Sequence, residues 1–178
     1  MCLLATTTMT WDGKLEIEAL AESYSSGSAT PLEVAEAVCK RVEAYVEQDP
    51  AVWITLLPRE EVLEQARKLQ EKYDGTAKPA LYGVPFSVKD SIDVAGLDTT
   101  LACPSYAYRA TKTAPVVQRV LDAGGIMIGK TNLDQFATGL NGTRSPYGAP
   151  RCVYDRDYVS GGSSSGGVVS VAAHLCTL

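Results

Sequence analysis

GVPFSVKD, residues 83–90, decides the fold: it is a short apolar strand that ends on the charged pair Lys89-Asp90. Two more strands follow from the same reading. Residues 51–57 (AVWITLL) are rich in β-branched residues, and residues 126–128 (IMI) form a compact buried strand before Gly129-Lys130-Thr131. Helical patterns lie between them. Leu15, Ile17, Leu20 and Ala21 make a short amphipathic segment closed by Ser25-Ser26-Gly27. Thr30 caps the next helix, Pro31 takes its first position and Glu33 completes a capping box; Val34, Val38, Val42, Tyr45 and Val46 form its apolar face, and Asp49-Pro50 ends it. Pro58 opens a charged helix through Val62, Ala66 and Leu69, ending near Asp74-Gly75. Pro115 opens another, carrying Val116, Val117, Val120 and Leu121 and stopping at Gly124-Gly125. Residues 132–138 look helical, residues 93–104 are turn-rich, and residues 141–157 are polar with little periodicity. Helices alternating with apolar strands predict an α/β layered domain, without internal repeat or inter-domain linker.

The composition fits a globular domain: 178 residues, 46% apolar and 21% charged, with Lys plus Arg 16 against Asp plus Glu 21 for a net charge of −5. A mildly acidic chain without a basic block is a poor partner for nucleic acid or an anionic membrane. No apolar run approaches the ~20 residues that span a bilayer. Residues 1–10 lack the basic start of a secretory signal. Cys2, Cys39, Cys103, Cys152 and Cys176 are scattered without metal-ligand spacing, so free thiols in a reducing cytoplasm are expected. His174 is the one histidine; zinc chemistry is disfavoured, and the residue is expected to pack in the last helix rather than to catalyse.

Three features carry chemistry. Gly124, Gly129, Lys130 and Thr131 satisfy the spacing of a phosphate-binding loop, but the residues between the glycines are Gly-Ile-Met-Ile, which favour a strand where the loop should be. Nucleotide binding is therefore the least favoured reading. SGGSSSGG, residues 160–167, is followed at once by an apolar helical run; its chemistry alone leaves open a solvated linker and a helix N-terminus whose amides hold an anion or oxyanion. Lys89 alone reads either as a strand-end lysine reaching water or as a lysine whose stem is buried by the preceding apolar run. In the second case desolvation lowers its pKa and frees a neutral amine as a general base for a serine hydroxyl.

GVPFSVKD, GKTNLDQFATG and SGGSSSGG occur in that order, and together they resemble the amidase signature family of serine amidohydrolases over residues 81–178. DPAVWITLL at residues 49–57, TTLACPSYAY at 99–108 and TNLDQFATGLNGTRSPYG at 131–148 are similar to its allophanate hydrolase branch. The resemblance implies a layered fold with a mixed twisted sheet covered by helices. It also implies a Ser–cisSer–Lys mechanism that cleaves a linear C–N amide bond of a small amide substrate. Lys89 would then be the base, and Ser163 the bridging serine on a cis peptide, ahead of Ser164 and Ser165. Gly139 would bring backbone close to the substrate. No metal or organic cofactor is implied. The family's nucleophilic serine comes about two dozen residues after the bridging one, past Leu178, and residues 168–178 form an apolar run without a polar tail. The chain is therefore expected to be the N-terminal part of a single amidase domain, helical over residues 1–75 with the signature core at 81–178, and inactive by itself. The alternative is a non-catalytic truncated product or binding piece.

Overall fold

The computed structural model describes residues 11–178; the readings of residues 1–10 and of Cys2 lie outside the described residues. Helix α1 (Ile17–Ser26) buries Leu20 and Tyr24 and closes on Gly27, whose φ of +73° suits a residue without a Cβ. Helix α2 (Pro31–Gln48) starts on the expected capping box: the Thr30 hydroxyl accepts the Glu33 N–H, and the Glu33 carboxylate accepts the Thr30 N–H at 2.8 Å. Its buried stripe is Val34, Ala35, Val38, Cys39 and Val42. The strand expected at 51–57 is shorter. Pro50, with φ set and no N–H to offer a ladder, begins a 3-10 turn (Pro50–Val52), and strand β1 is Trp53–Leu56. Helix α3 (Arg59–Lys72) follows Pro58 and buries Val62, Leu63 and Ala66.

Strand β2 is Pro85–Lys89, and the turn-rich segment after it contains a two-residue antiparallel pair, β3 (Asp98–Thr99) with β4 (Tyr108–Arg109). Helix α4 (Pro115–Asp122) buries Val117, whereas Val116 is 59% exposed, since neighbours on a helix point about 100° apart. Strand β5 (Ile126–Thr131) continues straight through Gly129, Lys130 and Thr131. The helix expected at 132–138 is a correction: only a 3-10 turn forms at Gln135–Ala137, with φ of +52° at Phe136 and +57° at Ala137. The Phe136 N–H goes to the Leu101 carbonyl, and the Gln135 N–H to that of Arg144, so these amides serve tertiary partners instead of a helix. Helix α5 (Ser165–Ala172) ends the described architecture.

The main sheet has the order β1-β5-β2, with β1 antiparallel and β2 parallel to the central β5, so it is mixed. One face, carrying Val84, Ile126 and Ile128, packs on Leu20, Val34, Val38, Val169 and Leu175. The other, carrying Phe86, Val88 and Met127, packs on Val94 and Val117. Along β5 the register jumps: Phe86 faces Met127, but Ser87 already faces Gly129, leaving Ile128 as an extra residue. This bulge inverts the alternation. Lys130 therefore pairs with Val88 and points to the α4 side, while Thr131 pairs with Lys89 and points to the α5 side.

On the α4 side Lys130 is wholly enclosed. Its Nζ lies 2.9 Å from Asp90 Oδ1 and donates to the Asp98 carbonyl (2.6 Å) and the Thr99 hydroxyl (2.8 Å). The other Asp90 oxygen accepts the Thr100 N–H at 2.9 Å and its hydroxyl at 2.5 Å. Lys130 thus has structural partners on every side, and the phosphate-loop pattern has no loop, its last residues being strand. Among the described residues no helix is long and apolar enough to cross a membrane, and Cys39, Cys103, Cys152 and Cys176 are free thiols.

Lys130→Met, which strands the Asp90 carboxylate in the interior, is expected to cost about 3–5 kcal/mol. Thr30→Ala, which removes a cap at the surface, is expected to cost about 1 kcal/mol. Urea denaturation of the two variants checks both.

Candidate active site

A strand that ends on Val88-Lys89-Asp90 sends successive side chains to opposite faces. Val88 enters the core on the α4 side, and Lys89 turns to the α5 side beside Ser87 and Thr131. The chain reaches that side again through the serine-glycine cluster. Gly161 takes φ +83°, the Gly162–Ser163 peptide is cis, and α5 begins at Ser165. Lys89 and Ser163 are brought together: Lys89 Nζ donates to Ser163 Oγ at 2.7 Å. It also donates to Ser164 Oγ at 2.8 Å, the serine that the sequence reading ranks behind Ser163. Ser165, at the first turn of the helix, is fully buried, and its hydroxyl has no hydrogen-bond partner, Lys89 included.

Burial lowers the Lys89 pKa from its ordinary 10.5, and the Asp134 carboxylate offsets part of that effect. A partly desolvated amine within hydrogen-bond reach of a hydroxyl is the geometry for proton transfer between them once the amine is neutral. Beside it lies an open cleft of about 710 Å3, with Ser87, Lys89, Thr131 and Ser164 as its polar end and Val168, Val171 and Leu178 on its apolar wall.

Gly139 is buried in the same neighbourhood, and a Cβ there would overlap the Asp134 carboxyl group. Asp134 in turn donates its own N–H to the Ser163 carbonyl at 2.9 Å. Sequence reasoning passes over Asp134, because one acidic residue in a segment that reads as a helix looks like part of a solvated face. Its place within GKTNLDQFATG is the signal that could have raised it. His174 is a correction: it lies past the end of α5 at φ +54°, exposed, and it is held through its backbone, its N–H donating to the Val171 carbonyl and its carbonyl accepting from Arg41. The turn it makes lets Leu175 and Cys176 return to the core. Among the described residues no group of His, Cys, Asp and Glu is placed to hold a metal ion.

Residues 33–178 match the protein-family model described as Amidase. Over 120 residues the chain is 53% identical to urea amidolyase of Saccharomyces cerevisiae, covering 67% of this chain and 6% of that protein. The crystallised allophanate hydrolase of Kluyveromyces lactis superposes with a TM-score of 0.77 at 45% identity, over 90% of this chain and 26% of that one. A peptide amidase from Stenotrophomonas maltophilia superposes with a TM-score of 0.81 at 29% identity, over 92% of this chain and 35% of that one. The chain thus spans a minor part of each of these relatives.

The depressed Lys89 pKa has a consequence for stability. Between the lowered value and 10.5, the unfolded chain still holds a proton that the folded chain has released. The Lys89 contribution to stability therefore rises with pH across that window and levels off above it, while the buried Tyr24 and Cys176, whose values are raised, contribute in the opposite sense. Lys89→Met is expected to remove this rise, as read from urea midpoints at a series of pH values.

Proposed function

Because the chain belongs to the amidase family, we propose that it is the N-terminal part of an amidohydrolase that cleaves a linear C–N amide bond, with allophanate as the substrate. One observation carries the mechanism: the Lys89 amine lies 2.7 Å from the Ser163 hydroxyl, on the edge of an open cleft. In its neutral form Lys89 takes the Ser163 proton. Ser163 in turn takes the proton of a nucleophilic serine. The nucleophile adds to the carbonyl carbon; as the C–N bond breaks, the relayed proton goes to the departing nitrogen, giving ammonia and an acyl-enzyme. Water, deprotonated along the same relay, then frees the acid, and for allophanate decarboxylation of that acid yields carbon dioxide.

Allophanate is favoured over other amides by the likeness to proteins named urea amidolyase and allophanate hydrolase. The first part, residues 1–75, and the signature core, residues 81–178, belong to one amidase domain in this reading, with Gly139 lying against the bound substrate. Free thiols at Cys39, Cys103, Cys152 and Cys176 favour a cytoplasmic location.

The test uses two proteins. The 178-residue chain itself is expected to release no ammonia from allophanate, and Lys89-dependent turnover by it would overturn the assignment of the nucleophile. A chimera in which residues 33–178 replace the matching segment of the Saccharomyces cerevisiae enzyme is expected to hydrolyse allophanate. In that chimera Lys89→Ala or Ser163→Ala is expected to lower kcat by at least about 100-fold, the scale of a lost general base or proton relay. Turnover retained in either variant would sink the mechanism.

A further inference from the structure

Asp134 is fully buried, yet its carboxylate is not paired with any lysine or arginine at salt-bridge distance among the described residues. Backbone holds it instead. Oδ2 accepts the Gly142 N–H at 3.0 Å, and Oδ1 accepts the Arg144 N–H at 2.8 Å. Space around it is cleared by glycines: a Cβ at Gly139 or at Gly162 would overlap the carboxyl group itself. Its backbone N–H completes the arrangement by donating to the carbonyl of Ser163 at 2.9 Å. One residue therefore binds the loop of residues 139–144 through its side chain and the Gly162-Ser163 turn through its backbone.

We propose that Asp134 is a positioning residue for the Lys89–Ser163 pair: its buried carboxylate gathers the two glycine-bearing segments around itself, sets the Ser163 hydroxyl against the Lys89 amine, and supplies the negative charge that faces that amine. This rests on the reading of Lys89 and Ser163 as base and relay. Around the Lys89 amine, β5 contributes the Thr131 hydroxyl, the approach to α5 contributes the Ser163 and Ser164 hydroxyls, and the segment after β5 contributes Asp134. Asp90 and Lys130 are spent on each other across the opposite face. An anionic group at this place favours the ammonium, so it holds the base nearer to its ordinary range than burial alone would leave it.

A residue that only braced the loop would change stability and leave the amine's titration where it was. The experiment is therefore an NMR titration of the Lys89 side-chain amine in the 178-residue chain, in the wild type, Asp134→Asn and Gly139→Ala. The Asn variant is expected to titrate lower by roughly half a pH unit or more, since a nearby opposite charge has been removed. Gly139→Ala, which pushes the carboxylate aside, is expected to move in the same direction. A folded variant in which the Lys89 titration does not move overturns the proposal. These readouts need no turnover. Loss of chimera activity in Lys89→Ala with no shift in Asp134→Asn would sink this inference alone, whereas retained activity in Lys89→Ala would sink the base-and-relay reading itself.

Discussion

The buried pair of Lys130 and Asp90 is the constraint on which the rest depends. An ammonium and a carboxylate taken wholly out of water must find each other, and here they do: Lys130 also donates to the Asp98 carbonyl and the Thr99 hydroxyl, Asp90 Oδ2 accepts from the Thr100 amide and hydroxyl, and Asp90 Oδ1 has the Lys130 ammonium as its counter-charge without a hydrogen bond. Asp90 directly follows Lys89. Fixing Asp90 against the central strand therefore fixes the end of β2, and with it the point from which Lys89 departs to the opposite face. The same pair organises the turn-rich segment: the Leu101 N–H is taken by the Asp90 carbonyl, and the Leu101 carbonyl takes the Phe136 N–H. A continuous line of hydrogen bonds thus runs from the sheet to the segment that contains Asp134.

The bulge at Ile128 makes this possible. With regular alternation Ile126, Ile128 and Lys130 would share one face, and a lysine would enter the apolar layer between the sheet and the α1–α2 helices. One extra residue turns Lys130 to the side where Asp90 waits and leaves Thr131 facing Lys89. Gly129 stands at the same place, where any Cβ would overlap the backbone of β1. The serine-glycine cluster uses the same device. The absence of a side chain lets Gly162 lie directly against the Asp134 carboxylate, an approach that a larger residue would block.

Much of the fold is legible along the chain because it rests on local rules. The capping box at Thr30 and Glu33, the left-handed Gly27 and the prolines that open α2 and α4 satisfy backbone groups within a turn of themselves, so residue type and spacing suffice to place them. Where the outcome differs, a distant partner prevails. Residues 132–138 have the apolar spacing of a helix, but their amides bond to Leu101, Arg144 and Ser163, and the helix gives way. Val116 reads as core beside Val117 and is exposed, since none of the described residues covers that side of α4. His174 reads as part of the last helix, and the helix has already ended.

The order of motifs and the residue types at Lys89 and Ser163 are properties of the string of amino acids, and so is the alternation of helices and apolar strands. Those are matters of composition and spacing, and they are the same in any conformation. What folding alone decides is the distance between residues far apart in the chain: an amine and a hydroxyl 74 positions apart meet at 2.7 Å, with Asp134 behind them. That meeting depends on a register jump in β5 and on which polar groups must be paired once water has left, and neither is encoded by any short stretch taken by itself.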